Sequence, residues 1–237
     1  MTLPPPQRAL SSVPNVRLPK YVTVEGCIGV GKTTLTGLLA KTLDARTVLE
    51  VVEENPFLAD FYRDSTAHAF KTQMFFLLSR FKQQESLLQT DLFQGAVVSD
   101  YLFAKDRIFA ELTLSSSEMG LYDQIFSALQ SRIRSPDLIV YLHAPLDVIL
   151  ERIARRGRSF EKDIDPRYLE DLVDAYARFF ASYDEAPVLM VDTADLNFPT
   201  NDEDLGVVLA ALSSFPVEGG PRRMKLGGSS TKQQALL

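Results

Sequence analysis

Cysteine is nearly missing from this chain: Cys27 is the only one. A single cysteine excludes an intrachain disulfide and suits a reducing compartment, so the expected location is cytoplasmic. Long apolar runs are missing too. None reaches the roughly 18–20 residues that a bilayer-crossing helix needs, so no membrane association is expected. The opening stretch MTLPPPQRALSSVPNVRLPK lacks the continuous apolar core of a secretory signal. An excess of positive charge is also absent. The net charge of −6 argues against a nucleic-acid-coating surface, which would be basic overall. It leaves room for a small basic pocket around a phosphorylated ligand.

What is present suits one domain or at most two: 237 residues, 46% of them apolar and 24% charged. Residues 1–19 are proline-rich and read as an extended tail or a docking arm. Residues 216–237 are rich in Gly, Ser and Lys and read as a second flexible tail. No internal repeat is visible. Between the tails, YVTVEG, RTVLEVV, GAVVSD, LIVYLHA and VLMVDT read as five strands. Helical patterns fill the gaps. One has Leu35, Leu38, Leu39 and Leu43 at helical spacing. A long one runs from Ser65 to about Asp91, with Phe70, Met74, Leu77, Leu78, Phe81 and Leu88 on one stripe. Another runs from Pro166 to about Tyr183. Such alternation predicts an α/β fold, a five-stranded parallel sheet flanked by helices, with ligands at the carboxyl ends of the strands.

Between the first strand and first helix, Gly26-Cys27-Ile28-Gly29-Val30-Gly31-Lys32-Thr33 fits G-x-x-x-x-G-K-[ST] without a gap, and Thr34 follows. Glycines let backbone N–H groups curl around an anion, and the helix presents its positive end to the phosphates. Lys32 reaches terminal phosphates, and the Thr33 hydroxyl is placed to ligate Mg²⁺. The motif predicts a bound nucleoside triphosphate, and the expected phosphate donor is ATP or another nucleoside triphosphate.

Acids stand at the ends of the next two strands. Glu50 would face the terminal phosphate and accept or orient the proton of an attacking hydroxyl. Glu53 and Glu54 read mostly as local caps of the helix that ENPFLADFY begins, with Glu53 the other candidate for the base. Asp100, after VVS, reads as a holder of Mg²⁺. Asp106 and Arg107 lie among apolar residues, which predicts a buried, paired use for both. The segment LERIARRGRSFEKDIDP carries Arg152, Arg155, Arg156 and Arg158, with Gly157 as a hinge. Four arginines exceed what a helix C-terminus accounts for, so a lid that clamps phosphate is predicted.

These stretches, together with FKTQMFFLLSRFKQQ and VVSDYLFAKDRIFA, resemble the deoxynucleoside kinases, and within them the bacterial deoxyadenosine/deoxyguanosine kinase branch. The resemblance runs in order from about Lys20 to Phe198. It implies a P-loop kinase fold over residues 20–215 with an arginine-rich lid. The implied reaction transfers the γ-phosphate of a nucleoside triphosphate to the 5′-hydroxyl of a deoxynucleoside, a purine one on branch resemblance, in deoxynucleotide salvage. A homodimer, or pairing with a related kinase subunit, is implied as well. The family's base falls on Glu50, followed here by Val51 where many members have proline. Its 3′-hydroxyl pair falls on Tyr62 and Glu161, and its base-reading glutamine on Gln73. Its far-side pair falls on Arg80 and Asp106, and its lid arginines on Arg152, Arg156 and Arg158. Phe75 and Phe76 could stack on a base or join the core. Many animal members have Glu-Arg after the third strand. Asp100-Tyr101 stands here, which implies that one basic contact near the 5′-hydroxyl is missing.

Two other readings compete. A nucleoside monophosphate kinase of the thymidylate kinase type would need arginines for the acceptor phosphate near strands two and three. EVVEENPF and VVSDY supply acids instead. A GTPase-type switch or binding module would show N-K-x-D, which does not occur.

Overall fold

The computed structural model describes residues 19–90, 95–215 and 223–226, without the side chains of residues 88–90. Both tails therefore lie largely outside the described residues, as do Asp91 and the side chain of Leu88. The chain alternates strand and helix. β1 (Tyr21–Gly26), α1 (Lys32–Leu43), β2 (Arg46–Val48), α2 (Leu58–Arg63), α3 (Ser65–Thr90) and β3 (Val97–Ser99) come first. Next are α4 (Asp106–Thr113), α5 (Ser116–Gln130), β4 (Leu138–His143), α6 (Leu146–Arg156), α7 (Pro166–Ser182), β5 (Val188–Asp192), α8 (Asp202–Ser214) and β6 (Arg223–Leu226). Short 3-10 turns occupy Phe103–Lys105 and Ser159–Glu161.

The strands form one parallel sheet in the order β2-β3-β1-β4-β5-β6. All six residues of β1 are buried, as expected of a central strand covered on both faces. Leu35 and Leu39 of α1, Leu172 and Phe180 of α7, and Val208 and Leu212 of α8 join the strands in one core cluster. Tyr141 of β4 stacks on Phe180 at 4.1 Å between ring centroids. Helix ends follow local chemistry. Asp165 caps α7 by accepting from Arg167 N, with Pro166 at its first position. Gly157 closes α6 in the left-handed region, φ 68°.

Three expectations need correction. The sheet has a sixth strand: Arg223–Leu226, assigned to the tail by composition, pair with β5 in parallel, and Leu226 is buried. The second strand is shorter than RTVLEVV, stopping at Val48. Its continuation is diverted because Glu50 N donates to the Asp100 carboxylate at 2.6 Å rather than to a neighbouring strand. Finally, Leu78 on the long helix is 50% exposed and does not join its apolar stripe.

Candidate active site

The site lies at the carboxyl ends of β1, β2 and β3. The loop from Gly26 to Gly31 follows the fully buried β1. Gly26 has φ 148°, and a Cβ there would sit 2.3 Å from Leu142 O. Glycine is thus required where the loop presses on β4. At Gly29 a Cβ would meet Ile153 Cγ1 at 2.6 Å, which sets how closely α6 approaches. Cys27 and Val30 are buried in the core beneath the loop, so they can serve a ligand only through their backbone. Burial pushes the Cys27 thiol up to about 12. No side chain caps the first turn of α1, and its N–H groups form a ready anion site. Thr34 is exposed on that turn. Glu25, wholly buried, accepts from Gly26 N at 2.8 Å, Leu102 N at 2.6 Å and the Tyr176 hydroxyl at 3.1 Å. It ties the loop to α7 and to the turn after β3.

A cavity of about 200 Å³ opens beside this loop. Ile28, Gly29, Lys32 and Thr33 form one wall, and Glu50, Tyr62, Gln73, Arg80, Asp100, Arg156, Arg158 and Glu161 line the rest. Lys32 Nζ donates to Gly26 O at 2.8 Å and Cys27 O at 3.1 Å. Burial, and then the charge of Lys105, hold its pKa below the ordinary lysine value. Thr33 Oγ1 donates to Asp100 Oδ2 at 2.7 Å. A hydroxyl and a carboxylate thus stand side by side at the phosphate end, an oxygen pair of the kind a hard divalent cation takes.

Glu50 is gripped by two cations. Arg80 pairs with its Oε1, and Lys105 Nζ donates to Oε2 at 2.9 Å. Burial alone would raise its pKa, but Arg80 and then Lys105 outweigh burial and hold the carboxyl well below the usual range. Arg80 also pairs with Asp106, which is 1% exposed, as the sequence predicts. Its guanidinium stands over the Phe76 ring, 4.9 Å from the centroid. Phe76 lines the cavity, whereas Phe75 is half-buried outside it. Arg107 departs from the expected buried use. It lies at the surface, paired with Glu111 and Asp123, because it falls on the outer side of α4.

Gln73 is 3% exposed. Thr113 Oγ1 spends its proton on Phe109 O at 2.7 Å and so accepts from Gln73 Nε2 at 3.3 Å. This fixes which end of the amide points away from Thr113. Beside it, Thr72 Oγ1 is buried in the cavity wall without a hydrogen-bond partner among the described residues.

In the lid, Arg156 makes two hydrogen bonds to Glu161, at 3.1 and 2.6 Å. Arg158 pairs with Glu53 at 2.8 Å and lies 3.7 Å from Glu161. Glu161 is therefore paired with lid arginines but buried, not solvated. Burial, with the Glu161 charge adding to it, pushes the Tyr62 phenol above its usual pKa. Glu53 is not a helix cap. No side chain caps α2; Asn55 braces the turn ahead of it, accepting from Phe57 N and donating to Thr72 O.

The structure turns Arg152 away from the cavity, against expectation. It donates to Val30 O at 3.1 Å, Thr193 Oγ1 at 2.8 Å and Thr193 O at 2.6 Å. One helical turn separates it from Arg156, and that turn faces the loop after β5. Arg155 is exposed and pairs with Glu151 at 2.8 Å. Residues missed from sequence are Lys105, Thr72 and Thr113. Only Lys105 carried a signal, a lysine amid apolar residues in YLFAKD.

Fold and site together define a P-loop phosphotransferase: a nucleotide-phosphate loop, a strand-end acid facing it, and two arginines, Arg156 and Arg158, in the wall of the same cavity. The family model described as Deoxynucleoside kinase matches residues 22–215. A deoxyguanosine kinase of Bacillus subtilis (strain 168) is 37% identical over 202 residues, covering 83% of this chain and 98% of the relative. A deoxyadenosine/deoxycytidine kinase of the same organism is 35% identical, covering 77% and 86%. The solved structure of a deoxyadenosine kinase from M. mycoides with bound dATP superposes with TM-score 0.71 at 26% identity, covering 81% of this chain and 98% of that one. The chain belongs to the deoxynucleoside kinase family and is a kinase that transfers phosphate to deoxynucleosides.

Proposed function

We propose that the chain transfers the γ-phosphate of ATP to the 5′-hydroxyl of a purine deoxynucleoside, deoxyadenosine or deoxyguanosine. The observation that carries this is the cavity behind Glu50. It places the oriented Gln73 amide and the Arg80 guanidinium at hydrogen-bonding depth beside the Phe76 ring. A planar base enters between them, and the sugar lies toward Tyr62 and Glu161. The relative named deoxyguanosine kinase supports the purine preference, and the one named deoxyadenosine/deoxycytidine kinase is named for a purine beside a pyrimidine.

The 5′-hydroxyl then meets Glu50. With its pKa held so low, Glu50 stays ionised and acts chiefly by orienting the hydroxyl through a strong charge-assisted hydrogen bond. Phosphoryl transfer with a loose transition state needs positioning and charge stabilisation more than a strong base. Lys32 donates to the transferring phosphate, and Arg156 and Arg158 exchange their acid partners for phosphate oxygens. Thr33 and Asp100 would hold Mg²⁺, which would offset charge on the phosphates. A homodimer belongs to the same reading, and sedimentation velocity tests it.

The test crosses ATP and GTP with the four deoxynucleosides and their monophosphates, scored by phosphate transfer. The expected result is transfer to deoxyadenosine or deoxyguanosine and none to thymidylate. Transfer to a monophosphate alone would overturn the reading.

A further inference from the structure

Lys105 stands in an unusual setting. It is 2% exposed, although it lies in a single 3-10 turn. Lysines are almost never buried so deeply without a paired role. Its Nζ donates to Glu50 Oε2 at 2.9 Å and lies 4.0 Å from Glu25 Oε2. It also lines the cavity. The neighbouring Tyr101, which follows Asp100 directly, is wholly buried elsewhere, its hydroxyl facing Gln84. The position after the strand-end acid therefore brings no cation to the site.

The geometry points to Lys105 as the positioning residue that supplies this chain's basic contact at the phosphate-accepting centre, acting through Glu50. A carboxylate held at one oxygen can still rotate about its last bond. Held at Oε1 by Arg80 and at Oε2 by Lys105, it has a fixed plane. When the acceptor hydroxyl takes up part of the Arg80 side, Lys105 keeps Glu50 in place. Glu25, the other acid near Lys105, is 4.0 Å from its Nζ and already accepts from Gly26 N, Leu102 N and the Tyr176 hydroxyl, so the hydrogen bond of Lys105 goes to Glu50. The competing role for Lys105 is a counter-ion that only neutralises Glu25.

This inference rests on the kinase reading of the Glu50 site, and the experiment separates the two. Steady-state kinetics are compared for wild type, Lys105→Met, Lys105→Arg, Glu50→Gln and the double variant Glu50→Gln/Lys105→Met. Lys105→Met should lower kcat by about 100-fold, the size of a positioned acid–base group, with the deoxynucleoside KM within about twofold. Lys105→Arg should recover most of that loss, because it restores the cation. The double variant should be no slower than Glu50→Gln alone, since both act through one carboxylate. It also removes both charges of the buried pair, so it decides the matter if Lys105→Met does not fold. Wild-type kcat in Lys105→Met, or a further loss of about tenfold or more in the double variant over Glu50→Gln, would overturn the inference. A wild-type chain that phosphorylates no deoxynucleoside would instead sink the functional reading itself.

Discussion

Glu50 and Cys27 show how one side chain's chemistry follows from its neighbours. Glu50→Gln keeps the shape but loses the charge that grips Arg80 and Lys105 and that is proposed to orient the acceptor hydroxyl. The expected outcome is a fall in kcat of about 100-fold with nucleoside binding nearly unchanged, read by steady-state kinetics and calorimetry. If Glu53→Gln has that effect and Glu50→Gln does not, the base lies one loop turn later. Cys27 behaves in the opposite sense. Its thiol is raised from 9.0 to about 12, so the reactive thiolate appears only above that pH and the neutral thiol prevails below it. Iodoacetamide at pH 8 should leave native protein unlabelled and label it fully in denaturant, as followed by intact mass. Labelling of the native chain would mean that the loop opens far more readily than its packing implies.

At the level of elements, the phosphate loop and the lid are held by different forces. The loop is held by backbone fit. Gly26→Ala would place a Cβ against Leu142 O in a strained region of φ, costing on the order of 1–3 kcal/mol and displacing Lys32. A lower melting temperature together with lost nucleotide affinity is the expected outcome. The lid is held by ion pairs in which only Glu161 is deeply buried. A closed lid that brings Glu161 to the sugar would leave its carboxylate unpaired opposite a 3′-deoxy nucleoside, at about 1–3 kcal/mol. The wild-type preference for the 3′-hydroxyl should therefore be large in kcat/KM and shrink in Glu161→Ala. An undiminished preference would leave Tyr62 to read the sugar alone. The pair between Arg158 and the exposed Glu53 contributes little by itself, so Glu53→Ala should hardly alter stability.

Across the whole molecule, the strand order explains why the site exists at all. The order β2-β3-β1 sets Glu50, Asp100 and the phosphate loop side by side, though Asp100 lies 50 residues from Glu50 and 67 from Thr33 in the chain. At the far edge, β6 covers β5 through Leu226. Leu226→Ala should cost about 2 kcal/mol, seen as a lower urea midpoint with an unchanged slope. Activity at low denaturant should survive, because this edge lies on the other side of β4 from the cavity. Loss of activity without loss of stability would link the edge strand to the site in a way the packing does not show. Among the described residues no helix is long and apolar enough to cross a membrane, in line with the short apolar runs of the sequence.

Much of this was legible in the sequence because the relevant physics is local. The phosphate loop is one contiguous backbone segment, so its glycines, Lys32 and Thr33 announce it directly. Strand and helix periods mark β1, β4, β5, α3 and α7 for the same reason. Roles on α3 and in the lid came through resemblance, and Gln73, Arg80 and Glu161 do meet in one cavity. What only the tertiary structure decided are the pairings of residues far apart in the chain. Lys105 reaches Glu50 across 55 positions. Arg152 faces Thr193 and not the cavity, because the direction of each helical residue depends on how α6 is rotated against the sheet. β6 owes its existence to the open edge of β5, since its own residues, RMKL, carry no strand pattern. Charge placement follows the same rule. Composition counts the acids and bases, but their meeting in a buried site depends on which strand ends the sheet sets next to one another.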